Sequence, residues 1–287
     1  MARLLIFGLG YCGAAVASAA IAAGMEVVAT SRDPGAVSAP AGTRVVAFDA
    51  AESALGDATH LLVTAPPSAD GDPVIARYAE AVRQSPALGW LGYLSTTGVY
   101  GDRQGGWVDE ATAPAPTSDR ARRRVAAEAA WRDVAGARSL DIFRLAGIYG
   151  PGRSALDDVR AGRARRLLQP GHCFGRIHVG DIAGGVLAAI GRPEAGPRIL
   201  NFSDDEPAES AVVIEEAARL LGAPVPPAIE LATAWPGMSE MARSFWSENR
   251  RVASARTQQV LGYAWKYPNF RVGLKAILEQ ERADDTA

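Results

Sequence analysis

Gly8, Gly10 and Gly13 stand in GLGYCG with the G-x-G-x-x-G spacing of a turn that can cradle a pyrophosphate. The first glycine permits a tight turn and the second lets the backbone approach the phosphates. The third lets the following helix pack on the preceding strand. Tyr11 and Cys12 complete this candidate loop, and the helix N-terminus behind them adds free N–H groups and a partial positive charge. A second set lies where the next strand ends, in Ser31-Arg32-Asp33. A dinucleotide with a free ribose 2′-hydroxyl calls for an acid there. Ser31 stands at that position with Arg32 beside it, and a hydroxyl with a guanidinium suits a 2′-phosphate. The residues therefore point to NADP(H). NAD is the other candidate, with Asp33 supplying the acid one residue late and Arg32 a solvated loop charge. Asp49 ends a third strand, where it meets an adenine amino group or caps a loop. Ala65, Pro66 and Pro67 follow a fourth strand and shape either the loop near the nicotinamide-side ribose or a rigid turn.

These residues need elements to position them. Short apolar runs at 4–7, 26–30, 44–48, 60–64, 90–95 and 140–144 read as strands. Alternating with them, residues 14–23 read as an alanine-rich helix closed by Gly24, and 73–84 and 118–134 read as helices, the last with Ser118 as N-cap. Apolar strands alternating with helices predict an α/β chain with a Rossmann-type, doubly wound parallel sheet. Past Tyr149-Gly150-Pro151-Gly152 the alternation weakens. Residues 154–168 read as a basic helix, 176–190 as a strand and helix, RILNFSDDEP as a strand and turn, and 211–221 as an amphipathic helix. The charged tail after Lys275 is expected to fray. The division expected is a cofactor domain over 1–147 and a smaller substrate lobe over 148–287, packed against the first and partly interleaved with it.

Composition removes several function classes. The chain has 287 residues, 48% hydrophobic, with a net charge of −2, which argues against a general electrostatic grip on nucleic acid or anionic membrane. No apolar stretch is long enough for a membrane span, and no signal-peptide pattern opens the chain. Cys12 and Cys173 are far apart, and His60, His172 and His178 are scattered, so neither a disulfide framework nor a metal cluster is expected. A reducing, cytoplasmic setting and a small-molecule partner are the expectation, with the oligomeric state open.

Five further segments carry a resemblance. YLSTTGVYGD, WVDEATAPAPTSDRARRRVAAEAAW, FRLAGIYGPGR, RIHVGDIA and NFSDDEP follow the glycine turn in the order, and near the spacing, of the extended short-chain dehydrogenase/reductases. Over nearly its whole length the chain resembles this NAD(P)-dependent epimerase/dehydratase superfamily, and most closely an atypical branch with a short GLGYxG loop. The resemblance implies a Ser/Thr that bonds the substrate oxygen, a Tyr that passes a proton and a Lys that holds the nicotinamide ribose. It places Thr96 at the first position. Counting back from Glu128, it places Arg120 where the Tyr belongs and Arg124 where the Lys belongs.

No shift of register restores the pair, because no tyrosine lies between Tyr100 and Tyr149 and no lysine precedes Lys266. An arginine cannot give and take a proton near neutral pH. Arg124 can still take the lysine's binding half. Tyr100 and Tyr149, each in a Tyr-Gly pair after a strand, are the candidates for a substitute acid, against a bland reading as partly buried aromatics. His178 reads as structural. Arg153, Arg160, Arg163, Arg165 and Arg166 read as a solvated helix face or as a clamp for a diphosphate or carboxylate. Two functions follow. One is an NAD(P)-dependent oxidoreductase or nucleotide-sugar epimerase/dehydratase-like enzyme on a small hydroxyl or carbonyl substrate, such as a sugar nucleotide. The other is a non-catalytic NADP(H)-binding sensor or scaffold.

Overall fold

The computed structural model describes residues 2–284. In chain order the elements are β1 Arg3–Phe7, α1 Tyr11–Ala22, β2 Glu26–Ser31, β3 Thr43–Ala47, α2 Glu52–Asp57, β4 His60–Val63, α3 Pro73–Gln84, β5 Trp90–Thr96, β6 Trp107–Val108 and α4 Asp119–Ala135. Then come β7 Ser139–Leu145, β8 Gly147–Tyr149, α5 Ala155–Arg160, β9 Arg166–Leu168, β10 Arg176–His178, α6 Val179–Ile190, β11 Pro197–Phe202 and α7 Ser210–Leu221. The last are β12 Ala228–Glu230, α8 Leu231–Ala234, α9 Glu240–Trp246, β13 Arg251–Val252, α10 Ala255–Leu261 and α11 Phe270–Asp284.

Seven strands form one parallel sheet in the order β11-β7-β5-β4-β1-β2-β3. The strand order reverses at β1, which lies between β2 and β4. In such a sheet the crevice outside the carboxyl ends at the reversal is where ligands bind. Burial on both faces explains the apolar runs. Leu4 and Ile6 of β1 pack with Val16, Ala20 and Val186 under α1 and α6. Leu5 and Phe7 point the other way, into Val74, Tyr78, Val82 and Trp131 under α3 and α4. This is the two-residue side-chain period of a strand covered on both sides.

The helix starts have local causes. Asp72 accepts from the N–H groups of Val74 and Ile75, and Pro73 occupies the first turn of α3, where its missing N–H costs nothing. Ser118 caps α4 by accepting from Ala121 N at 3.3 Å. The C-terminal half is not a separate bead. α6 packs on α1, and β11 pairs with β7 at the edge of the large sheet. Helices α5, α7 and α11 form their own apolar cluster around Leu156, Ala217, Phe270 and Ile277.

Two sequence expectations are corrected. Residues 154–168 are not one helix: α5 ends at Arg160, Gly162 follows at φ +64°, and β9 then pairs with β12. A left-handed glycine stops the helix, and Leu167 is buried from the strand. The tail does not fray at Lys275, because α11 runs on to Asp284 with Ile277 and Leu278 buried. Residues 285–287 of that expectation lie outside the described residues.

Candidate functional site

The glycine turn sits where the strand order reverses. Gly8 has φ +103°, and a Cβ there would lie 2.8 Å from Thr64 Oγ1, at the end of the neighbouring β4. The Thr64 hydroxyl donates to Gly8 O at 2.6 Å, and Gly8 N donates to Thr30 Oγ1 at 3.1 Å, so the turn is tied to both flanking strands. A Cβ on Gly13 would lie 2.3 Å from Gly8 O, so α1 can pack here only with glycine. Gly10 differs. It is the exposed N-cap of α1, no side chain caps the helix, and a Cβ there would meet nothing within 4 Å. Open space, uncapped N–H groups and the positive end of a helix dipole fit the pyrophosphate of a dinucleotide.

Other residues of the turn serve by backbone more than by side chain. Burial pushes the Cys12 thiol up to about 11, so it stays protonated. The Tyr11 hydroxyl, pushed up to about 12 by burial, donates to Pro151 O at 3.0 Å and ties the turn to the C-terminal lobe. The Arg153 guanidinium lies 5.7 Å from the Tyr11 ring centroid. Of the five arginines of the basic run, Arg160, Arg163 and Arg166 pair with Glu281, Asp158 and Glu215, and Arg165 is exposed.

At the end of β2, Ser31 and Asp33 bond each other through Ser31 Oγ, and Asp33 Oδ1 accepts from Gly35 N at 3.1 Å. That carboxylate is committed to its own turn, whereas Arg32 is exposed and has no ion pair among the described residues. Asp49 is exposed in a short turn after β3. Ala65 N donates to Phe7 O at 3.1 Å, which sets the Ala65-Pro66-Pro67 loop beside the end of β1.

A cleft of about 410 Å³ opens next to the end of β5. Thr96 lines it, its Oγ1 accepting from Gly98 N at 3.1 Å. The segment 145–149 forms one wall and 173–176 another, and SFWSENRR (244–251) contributes Phe245, Trp246, Glu248 and Arg250. The sequence reading missed this last segment. Its alternation of aromatic and charged residues was the available signal.

The two tyrosine candidates are corrected as acids. Tyr100 is fully buried, its hydroxyl donates to Asn201 Oδ1 at 2.7 Å, and Arg144 lies 4.8 Å from its ring centroid. It does not line the cleft. Tyr149 does line it, but its hydroxyl is turned to Asn269 O at 3.4 Å, against Gly273 of α11. Burial and the nearby Asp204 and Asp181 push its pKa well above the usual phenol range, so it is a poor proton donor.

Arg124 Nη1 donates to Leu94 O at 2.6 Å and to the Tyr93 hydroxyl at 3.1 Å, which staples α4 to β5 near the end of that strand. Arg120 stands at the cleft, its guanidinium 4.9 Å from the Phe245 ring centroid. Behind Thr96, Glu128 is buried and takes a two-pronged contact from Arg144 at 3.1 and 2.8 Å, and Ser95 Oγ donates to it at 2.6 Å.

Asp204 lies behind Arg176 in the cleft wall. Its Oδ1 accepts from Arg176 N at 3.4 Å, its Oδ2 has no partner, and burial pushes its carboxyl up to about 8. An unfolded aspartate titrates near 4. Between those values the folded protein holds the extra proton, so stability falls as pH rises. His178, pushed down to about 4 by burial, acts in the opposite sense, but only below its unfolded value near 6.5. From about pH 6.5 to about pH 8 the melting temperature of the wild type is therefore expected to fall relative to that of Asp204→Asn. Parallel curves over that range would show that Asp204 is ionised in the folded protein.

Among the described residues no helix is long and apolar enough to cross a membrane, and no group of three or more His, Cys, Asp or Glu is arranged to hold a metal ion.

Comparison with known proteins agrees with this geometry. The chain matches no family model. It is 28% identical over 242 residues to Protein YeeZ of Escherichia coli, covering 77% of this chain and 85% of that protein. It is 31% identical over 141 residues to a 3-diazoavenalumate denitrifying reductase of Streptomyces, covering 46% and 45%. Among solved structures, a functionally unknown conserved protein from Silicibacter pomeroyi superposes with a TM-score of 0.90 at 42% identity, over 98% of this chain and 99% of that one. Human epimerase family protein SDR39U1 with NADPH gives 0.76 at 19% identity, over 96% and 99%. MoeE5 with UDP-glucuronic acid and NAD gives 0.77 at 19%, over 98% and 99%.

Sheet order, glycine turn and cleft thus define a Rossmann-type protein with the fold of the extended short-chain dehydrogenase/reductases. The chain belongs to one family with the functionally unknown Silicibacter pomeroyi protein.

Proposed function

We propose that this protein is an NADP(H)-dependent oxidoreductase of the epimerase/dehydratase type, acting on a small hydroxyl- or carbonyl-bearing molecule. The observation that carries the reading is the open direction at Gly10, in front of an uncapped helix at the reversal of the sheet. Gly8, Gly10, Tyr11, Cys12 and Gly13 would hold the pyrophosphate, with Arg153 reaching over Tyr11 from the lobe. Ser31 and Arg32 would hold the 2′-phosphate, Asp49 the adenine side, and 65–67 the nicotinamide-side ribose. The bound cofactor supplies or accepts a hydride. Thr96 orients the substrate oxygen in the cleft. With Tyr100 and Tyr149 set aside, the proton on that oxygen is exchanged with water that reaches the open cleft.

The Streptomyces relative, a reductase by name, supports the reductive direction. Fold neighbours with UDP-sugars bound support a sugar nucleotide among the substrates to test. A second reading, a non-catalytic NADP(H) sensor, is favoured by one observation: arginines stand at both positions of the missing Tyr/Lys pair, and Arg124 is bound to the sheet. The deciding experiment incubates the protein with NADPH deuterated stereospecifically at the nicotinamide C4, together with carbonyl compounds and sugar nucleotides. Label transferred to any of them supports the enzyme. NADPH binding with no transfer across the panel supports the sensor.

Arg32 tests the choice of nucleotide. Arg32→Ala is expected to weaken NADPH by about 1.5–3 kcal/mol, the worth of a charge-assisted hydrogen bond, and to leave NADH unchanged. Titration calorimetry of both cofactors checks this. Equal affinity of the wild type for NADPH and NADH would overturn it.

A further inference from the structure

Five aliphatic hydroxyls line the cleft, those of Thr96, Thr97, Ser118, Ser210 and Ser244, and they are engaged to different degrees. Thr96 Oγ1 accepts from Gly98 N at 3.1 Å, Ser118 Oγ accepts from Ala121 N at 3.3 Å, and Ser244 Oγ donates to Met241 O at 2.7 Å. Ser210 is half-buried, in the wall shared with a second hollow. Thr97 is different. The residue is 7% exposed, yet its hydroxyl bonds no group of the described residues. Unlike the hydroxyls of Ser85 and Ser139, which also lack partners, it is not sealed from solvent. A buried polar group without a protein partner calls for an explanation, and the opening onto the cleft supplies one. Its bond is made to whatever occupies the cleft.

The backbone holds this hydroxyl in a fixed place. Thr97 starts the tight turn Thr97–Tyr100 that follows β5. Val99 and Tyr100 of that turn are fully buried, and Tyr100 is bonded to Asn201. Val99 O accepts from Ala115 N at 3.0 Å, and Gly101 O accepts from Arg250 Nη1 at 2.9 Å. On the other side, Ser95 is anchored on the buried Glu128. A donor that need not move when charge develops on a ligand stabilises that charge better than a mobile one.

We propose that Thr97 is a catalytic contact of this protein: its hydroxyl donates to the carbonyl oxygen of the substrate, beside Thr96, and stabilises the charge that forms there. This rests on the oxidoreductase reading above and adds a residue to its site. In the reductive direction the carbonyl carbon gains a hydride from NADPH, which leaves as NADP⁺. The C=O electron pair moves to the oxygen, where the two threonine hydroxyls share the negative charge. A proton from water completes the alcohol and leaves hydroxide. Thr97 keeps its own proton throughout, so no phenol or other titrating side chain is needed at that oxygen.

The test compares Thr97→Val, Thr97→Ser and Thr96→Val by thermal melting and by label transfer from NADPH deuterated at the nicotinamide C4. The acceptor is 4-nitrobenzaldehyde, an uncharged electrophilic carbonyl, or whichever carbonyl of the panel takes more label. Valine has nearly the shape of threonine and lacks the hydroxyl. Thr96→Val is expected to lower the melting temperature by about 2–4 °C, because the bond from Gly98 N is lost. Thr97→Val breaks no protein bond and is expected to melt at or above the wild-type temperature, while label transfer falls about a hundredfold. Thr97→Ser restores a hydroxyl and is expected to keep transfer within about threefold of the wild type. The proposal is overturned if a folded Thr97→Val protein keeps the wild-type transfer rate, or if Thr97→Ser loses as much transfer as Thr97→Val. It is also overturned if Thr97→Val melts as low as Thr96→Val, which would make the hydroxyl structural. A wild type that binds NADPH and passes label to no carbonyl removes the oxidoreductase reading, and this assignment with it.

Discussion

Gly10→Val is expected to abolish binding of NADPH and NADH alike, with a loss beyond about a hundredfold, in a protein that still folds. The structure separates the two effects. Gly10 has φ −89° and ψ −167°, extended backbone that any residue adopts, and a Cβ there meets no protein atom within 4 Å. Valine is a poorer N-cap than glycine, a cost of about 1 kcal/mol, which lowers the melting temperature of a chain this size by about 2–4 °C. The branched side chain stands where the phosphates must approach the uncapped N–H groups of α1. Gly13 would not give a clean test, since even alanine there puts its Cβ 2.3 Å from Gly8 O and damages the turn itself. Calorimetric titration with circular dichroism as the folding control reads the result. Retained NADPH affinity in a folded Gly10→Val protein would mean that the glycines shape a turn and nothing more.

The sheet and the turn could be read from sequence because both are local. Each central strand is an apolar run bounded by turn residues. The helix read over 73–84 is Pro73–Gln84 in the structure, because a capping Asp72 and a helix-starting proline mark its beginning. The glycine turn uses consecutive residues whose backbone does the work. The cleft could not be read this way, because it is assembled from segments more than a hundred residues apart. β6 pairs with β13, two residues each, and hydrophobic periodicity gives no signal for elements that short. Burial also decided between similar motifs. Tyr100 and Tyr149 both precede a glycine after a strand. One is sealed under Arg144 and Asn201, and the other lines the cleft with its hydroxyl turned away to Asn269 O. The basic run over 153–166 looked like one surface, but three of its members are paired within the lobe and Arg153 lies over the glycine turn.

Glu128→Ala is expected to destabilise the protein by about 3–5 kcal/mol, because it leaves the buried Arg144 charge without its partner. The carboxylate accepts from Arg144 Nε and Nη2 and from Ser95 Oγ, and its side chain is 1% exposed against 3% for Arg144. Among the described residues no other carboxylate lies within ion-pair distance of Arg144. The ring of Tyr100, 4.8 Å from its guanidinium, is a far weaker partner for a desolvated cation. Removing both charges should cost less than removing one, since a well-packed apolar pair of similar volume can replace a buried ion pair without penalty. Glu128→Leu with Arg144→Met is therefore expected to recover much of the stability lost in Glu128→Ala, as read by urea denaturation. A loss below about 1 kcal/mol in the single variant would show that water reaches and solvates Arg144 once Glu128 is gone. The same double variant probes the cleft. Ser95 loses its anchor beside Thr96, so a stable protein with NADPH affinity intact and hydride transfer lowered would show that the Glu128 bridge positions the end of β5. Unchanged transfer would confine the bridge to stability.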